Sequence, residues 1–397
     1  MKDPRRALRV THAACVALFL APSCALAAPP DSSAEREVMP GVVERLLVRS
    51  EGPWRISILA IDLSRGNLSL RSARAFDRLR GRETTSSIAS RFPAGAGTVV
   101  AALNADFFSL QSGETVNNQV AEGVFVKGVG ARRPLPRSQF GMTWEKVPFI
   151  DRLRFAGMVS APGAPPAPLE GVNTLPDSGG LSLLTPLWGE PAPDSAGRHP
   201  LVRVRLDDAG RRADTLLLVT LQETTFPSDS GGYFLLTRGD SPHPLLRSVH
   251  PGDTLHVVEG TTPPRGRIRT LVGGAPRIVR DGMNVAGKPE FMEGTSPEFS
   301  SRRHPRTGIG FSGDSGSVYF LVVDGRQEGS VGMTLPEFAD CMIEAGVWQG
   351  LNLDGGGSTV MIVGGRIVNS PSDPGGERPV ANCLLLVTDP PERSSPR

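Results

Sequence analysis

The sequence predicts an α+β chain that is β-rich, with mixed sheets and short flanking helices in a single large domain. Three observations predict it. Short apolar runs with strand-like alternation recur from Trp54 onward. The 397 residues include 46 glycines and 36 prolines but only 6% aromatics, which implies many turns between short strands. One helix declares itself: in Thr334-Leu335-Pro336-Glu337 the threonine caps and the glutamate reaches back, and Phe338, Met342, Ile343 and Val347 follow on one stripe.

The chain opens with a basic head (Lys2, Arg5, Arg6, Arg9), an apolar run from Ala13 to Leu20 and small residues at Ala25-Leu26-Ala27. That is the layout of a signal peptide over residues 1–28. Its apolar run is too short to span a bilayer, as is every later one. The mature chain is therefore expected to be exported, periplasmic or extracellular, and not membrane-spanning. Residues 29–50 begin Pro/Ser/Ala-rich and read as a linker, 51–390 as the domain and 391–397 as a tail. Within the domain, strands are expected at Trp54–Ile61, Leu68–Leu70, Thr98–Leu103, Val202–Leu206, Leu216–Gln222, Leu255–Val258 and Val318–Val323. A short helix is expected over Ser86–Phe92, and the Pro/Gly/Ala-rich stretch 156–200 reads as a loop or boundary.

Charge and cysteine content exclude several classes. Net charge is +2 with no basic block, which argues against a nucleic-acid partner. After cleavage only Cys341 and Cys383 remain, open to one disulfide or to two buried thiols. The six histidines form no metal-ligand spacing, and His199, His243 and His304 each precede proline. Gly308-Ile309-Gly310-Phe311-Ser312-Gly313 fits a dinucleotide-binding pattern, but it precedes a strand rather than a helix, so a hairpin is expected. Gly313-Asp314-Ser315-Gly316 likewise reads as a hairpin turn and not as a protease nucleophile.

The most informative run is Asn352-Leu353-Asp354-Gly355-Gly356-Gly357-Ser358-Thr359, set between two apolar segments. It reads as strand, glycine loop, strand. Three glycines let backbone N–H groups approach an anion, and Asp354 adds a carboxylate. A plain glycine-rich turn stays open as the other reading. Other polar segments interrupt apolar surroundings: Asn104-Ala105-Asp106-Phe107-Phe108, Ser112-Gly113-Glu114, Gly273-Gly274-Ala275-Pro276, Arg306-Thr307, Asp324-Gly325-Arg326-Gln327, Pro371-Ser372-Asp373 and Glu377-Arg378-Pro379.

In this order these segments resemble the phosphodiester glycosidase family, which includes the lysosomal "uncovering enzyme" that removes N-acetylglucosamine from a mannose-phosphate diester. Asn104 with Phe108, Ser112-Gly113-Glu114, Asn118, Phe140-Gly141, Arg306-Thr307, Asn352 through Ser358, and Pro371-Ser372-Asp373 with Arg378 carry the resemblance. The stretch from Gly376 to Asn382 looks like the bacterial, exopolysaccharide-associated branch. The resemblance covers most of residues 50–390 and weakens over 155–260, the variable region. Where the family has two glycines after the first asparagine, this chain has Ala105-Asp106, and no role transfers to Asp106.

The resemblance implies a catalytic domain that breaks the bond at the anomeric carbon of a glycosyl phosphodiester. Such an enzyme needs a phosphate clamp and carboxylates at an oxocarbenium-like centre. Arg306 and Arg378, with Arg326 as a third, suit the clamp because a guanidinium forks onto phosphate oxygens. Gly355, Gly356, Gly357, Ser358 and Gly274 are further substrate-binding candidates. Asp354 and Glu114 are expected to do the carboxylate work, with Asp373 in reserve. Asn104 and Asn352 would orient sugar hydroxyls or hold the loops. No metal ligand and no required cofactor are expected, a structural calcium aside, and the partner is a glycan-phosphate substrate. Two other functions fit the same residues. One is a metal-dependent phosphodiesterase that uses Asp324, Asp354 and Asp373 to attack phosphorus. The other is a non-catalytic polysaccharide-binding protein, with Trp188, Trp348 and Tyr233 as sugar platforms.

Overall fold

The computed structural model describes residues 31–130, 136–189, 201–212, 215–221, 232–238 and 241–390. The expected signal peptide and tail lie outside these residues. Three sheets organise the described chain. The first has eight strands in the order Ser32–Met39, Val42–Arg49, Trp54–Asp62, Ser317–Val323, Arg306–Phe311, Gln349–Asn352, Arg277–Arg280 and Met283–Asn284. A second, of five strands, runs Arg366–Ile367, Met361–Val363, Thr98–Asn104, Asn382–Thr388 and Leu68–Arg74.

These two sheets face each other across one core. Leu59, Ile309, Phe320 and Leu351 from the first pack with Leu70, Leu103, Met361 and Leu384 from the second. The helix Leu335–Glu344 covers the opposite face of the first sheet, with Phe338 and Met342 against Ile58, Leu321 and Val323. Burial on both faces is why Ser317–Val323 reads as a continuous apolar run rather than an alternating one. The capping box forms as expected: Thr334 Oγ1 accepts from the Glu337 N–H, and the Glu337 carboxylate accepts from the Thr334 N–H at 2.8 Å. The third sheet has thirteen strands from residues 119–273 and a core of its own around Phe155, Leu183, Leu218 and Leu255.

Several expectations need correction. Helix is sparse: among the described residues the four α-helices span at most 10 residues each, and strand dominates. Residues 32–49 form an antiparallel hairpin at the edge of the first sheet, not a linker. Cross-strand pairs Arg36–Glu44 and Arg45–Glu35 hold it, a charge pattern hidden behind the Pro/Ser/Ala-rich start. Despite its glycine and proline content, the stretch from 156 to 189 contributes strands to the third sheet, where Arg154–Ser160 alternates buried and open positions. Cys341 and Cys383 are both free and buried in separate apolar clusters, so no disulfide joins them. As expected, the segment Gly308–Gly313 is a strand running into a hairpin turn, paired antiparallel with Ser317–Val323.

Candidate active site

Strands of the two facing sheets end together and deliver the polar residues to one place. Asn104, at the end of Thr98–Asn104, is fully buried and acts as a hub. Its Nδ2 donates to the Asp354 carbonyl at 2.6 Å. Its Oδ1 accepts from Thr307 Oγ1 and from the Val360 N–H, both at 3.0 Å. Three chain segments are thereby tied by one amide. Asn352 does similar work on the other flank: its Nδ2 donates to the Ala275 and Leu353 carbonyls at 2.6 and 2.9 Å. Gly274 packs tightly on this flank: a Cβ there would fall 2.7 Å from the Asn352 carbonyl and from Leu351.

The glycine loop sits on this frame. It leaves the strand Gln349–Asn352, makes a short 3₁₀ turn at Gly356–Ser358 and enters Met361–Val363. The Asp354 N–H donates to the Ala105 carbonyl at 2.9 Å, and the Gly356 N–H to the Pro305 carbonyl at 2.9 Å. Gly356 has φ +63, and a Cβ there would lie 3.0 Å from Arg326 Nη2. At Gly357 a Cβ would lie 2.2 Å from both Arg378 Nη2 and Asp373 Oδ1. Arg326 and Arg378 therefore lean directly on the loop. Arg378 holds Asp373 bidentately, Nε to Oδ2 at 2.7 Å and Nη2 to Oδ1 at 3.0 Å, so Asp373 orients an arginine rather than standing free as a catalytic carboxylate.

Asp354 keeps partial access to solvent at the loop's mouth. Burial of the carboxyl raises its pKa to about 7; the Ser358 hydroxyl and Arg378 pull it back, while Asp106 pushes it further up. Ser358 Oγ is buried without a well-formed hydrogen bond, and so are Asn352 Oδ1, Thr359 Oγ1 and Ser372 Oγ. Buried polar atoms are normally paired, so this gathering of orphans around one loop marks a place where a ligand or water completes the set.

Two sequence-predicted residues serve elsewhere. Arg306 is 1% exposed and spends its guanidinium on backbone carbonyls: Nε to Met333 at 2.8 Å, and Nη2 to Phe299 and Arg302 at 2.9 and 2.8 Å. It fastens the chain behind the glycine loop, and burial lowers its pKa to about 10. Glu114 is held by Lys127 at 2.7 Å and Arg80 at 3.1 Å. Burial pushes its pKa up, and the two cations more than reverse that.

Asp106 is the group whose role was not legible. It is 1% exposed, and its Oδ2 and Oδ1 accept from the Asn117 N–H and Nδ2 at 3.0 and 2.7 Å. Its own N–H donates to Asn382 Oδ1 at 2.9 Å. Desolvation raises its pKa to about 6, against the pull of Asn117 and Lys127. Asp106 and Asp354 thus form a pair of like-charged groups, both reluctant to ionise. The signal was the departure from the paired glycines after Asn104. Of the alternative metal set, Asp324 accepts from Asn369 Nδ2 and the Ser370 N–H at 3.2 and 2.8 Å, and Asp373 faces Arg378. Among the described residues no three His, Cys, Asp or Glu side chains converge.

Known proteins share the fold and part of the sequence. A solved Synechocystis protein of unassigned function superposes with TM-score 0.69 at 21% identity, over 91% of this chain and 64% of its own. A Burkholderia pseudomallei K96243 protein described as exported gives 0.63 at 22%, over 85% of this chain and 74% of its own. Both share the fold. A prophage-derived uncharacterized protein of Bacillus subtilis is 34% identical over 99 residues, 25% of this chain; the match spans 15% of that relative's length. The family model for phosphodiester glycosidases matches residues 230–387, which contain the glycine loop, Arg326, Asp373 and Arg378. Over those residues the chain is similar to the phosphodiester glycosidase family.

Proposed function

We propose that this chain is an exported hydrolase that cleaves a sugar from a glycosyl phosphodiester at the anomeric carbon, in envelope-glycan or exopolysaccharide metabolism. The observation that carries the reading is Asp354: a partly exposed carboxyl on the glycine loop, its pKa raised to about 7 by burial, near buried polar atoms that lack well-formed hydrogen bonds and near two arginines that contact the loop. A carboxyl that titrates near working pH suits proton transfer. Arg378, held rigid by Asp373, and Arg326 take the phosphate oxygens. The bond between the anomeric carbon and oxygen breaks with its electron pair left on phosphate, a good leaving group that needs little protonation. Water supplies the new carbon–oxygen bond, and the ionised fraction of Asp354 accepts its proton. The like charge of Asp106 strengthens that carboxylate as a base, and Glu114 contributes through the Lys127 and Arg80 cluster that backs Asp106.

Product analysis tests this with an N-acetylglucosamine-phosphate diester and a panel of other sugar diesters, comparing wild type with Asp354→Asn in the presence and absence of EDTA. The expected result is free sugar plus an intact phosphomonoester, insensitive to EDTA, with turnover in the variant reduced roughly 10²–10⁴-fold. Sugar-1-phosphate as product would instead place attack at phosphorus. Binding of the diesters without turnover of any would favour a carbohydrate-binding role.

A further inference from the structure

Beside the carboxylate pair the fold opens a second space. A cavity of about 830 Å³ lies between the segments 116–118, 136–139, 152–154 and 289–294, within the usual size range of small-ligand sites. Asn117 forms part of its wall and is the residue that grips Asp106 through both its main-chain and side-chain nitrogens. Arg137, also on the wall, lies 5.7 Å from the ring centre of Phe107, the residue after Asp106. The cavity therefore adjoins the proposed reaction centre instead of being a remote surface dimple.

Its charge is asymmetric. Arg137, Arg152 and Arg154 line it, each half-buried, and none is in an ion pair among the described residues. Arg152 donates its Nε to the Pro136 carbonyl at 2.8 Å, which aims the guanidinium without neutralising it. Two carboxylates share the wall. Glu293 is saturated, accepting from the Ser138 N–H and Oγ at 2.6 and 2.5 Å and from the Arg277 N–H at 3.3 Å. Glu290 stands exposed at the rim. Three guanidinium groups without carboxylate partners on one concave wall make a local positive field that favours anions there.

We infer that this cleft binds an acidic oligosaccharide, one whose sugars carry carboxylate or phosphate groups, alongside the scissile diester. The inference rests on the glycosidase reading for its sugar chemistry, and it narrows the substrate class from any glycan phosphate to a polyanionic one. Guanidinium forks pair with either anion, and apolar wall residues such as Val116 and Met292 receive the faces of the sugar rings.

The test is calorimetric titration of the full chain with three probes of equal length: oligogalacturonate, a phosphorylated oligomannose and a neutral oligomannose. The comparison is wild type, Arg137→Gln/Arg154→Gln and, as a control in a separate cavity, Arg265→Gln. At least one acidic probe is expected to bind tenfold or more tighter than the neutral one, less tightly as salt rises. The double variant is expected to lose at least tenfold in that affinity, while the control keeps it. Which acidic probe binds better identifies the anion. Equal affinity for acidic and neutral probes, no binding of any, or full affinity in the double variant would overturn the inference. Acidic-probe binding with no sugar release in the product assay would instead fail the glycosidase reading and leave this site standing.

Discussion

The thirteen-stranded sheet and the two facing sheets that carry Asp354 are built by different burial patterns. In the former, Thr215–Thr220 and Arg154–Ser160 alternate buried and open positions, one face wet and one dry. In the latter, Arg306–Phe311 is buried at every position and Asn382–Thr388 at all but the last. A strand covered on both faces gives a polar side chain no water to turn to. Asn104, Thr307, Asn352 and Asn382 must then find partners inside the protein; they bond mostly to backbone groups, and Asn104, Thr307 and Asn352 tie down the glycine loop. The open face of an alternating strand leaves polar side chains in water, whereas at the covered end of the thirteen-stranded sheet Asn118, Gln119 and Gln139 are buried and hydrogen-bonded too.

Four substitutions break or sharpen that contrast. Leu218→Ala, in the alternating sheet's core at 0% exposure, should cost about 2–5 kcal/mol of stability in a denaturant melt. Turnover per folded molecule should stay within about twofold of wild type if the sheet is scaffold. Gly357→Ala should do the reverse. Its new Cβ collides with Arg378 and Asp373, so kcat/KM on a sugar phosphodiester should drop about 10²-fold, as small misplacements at reacting centres do. An unchanged kcat/KM would remove Arg378 from the phosphate-binding role.

Asp106→Asn tests the buried network through pH. Because the folded-state pKa of Asp106 is raised to about 6, the protonated form is favoured in the fold. Its stabilising contribution is full below the unfolded value near 4 and is lost as pH rises through about 6. Wild type should therefore lose more stability than the variant between pH 4.5 and 7.5, by about 1–3 kcal/mol. Asn117 can turn its amide to pair with the new one. Parallel stability curves would mean that Asp106 ionises at an ordinary pH. The smallest effect is expected at Thr334→Ala, which removes half of the capping box and should cost about 1 kcal/mol in the same melt.

Much of the site was legible because its residues interrupt apolar runs. The glycine loop, Asn104, Asn352, Asp354, Arg326 and Arg378 all meet in space, and the helix after Thr334 could be placed from its cap. What the sequence could not supply was direction. Arg306 and Arg378 look equivalent in one dimension, yet one guanidinium turns inward to three carbonyls and the other lies on the loop. Asp106 was visible only as a departure, because its partner Asn117 is brought to it by a turn rather than by any periodicity. The hairpin of residues 32–49 was missed since a solvated edge lacks the alternation that marks a half-buried strand: Ser32–Met39 is mostly exposed.

The two cysteines offer a clock that needs no added label. Both thiols are buried and pushed well above their ordinary pKa, that of Cys341 to about 12. Alkylating reagents attack thiolates, so neither sulfur should react while its surroundings stay closed. Cys383 sits in a central strand of the five-stranded sheet and Cys341 on the helix over the first. The ratio of their modification rates in native buffer would report whether the helix lifts away by itself or the two layers open as one cooperative unit.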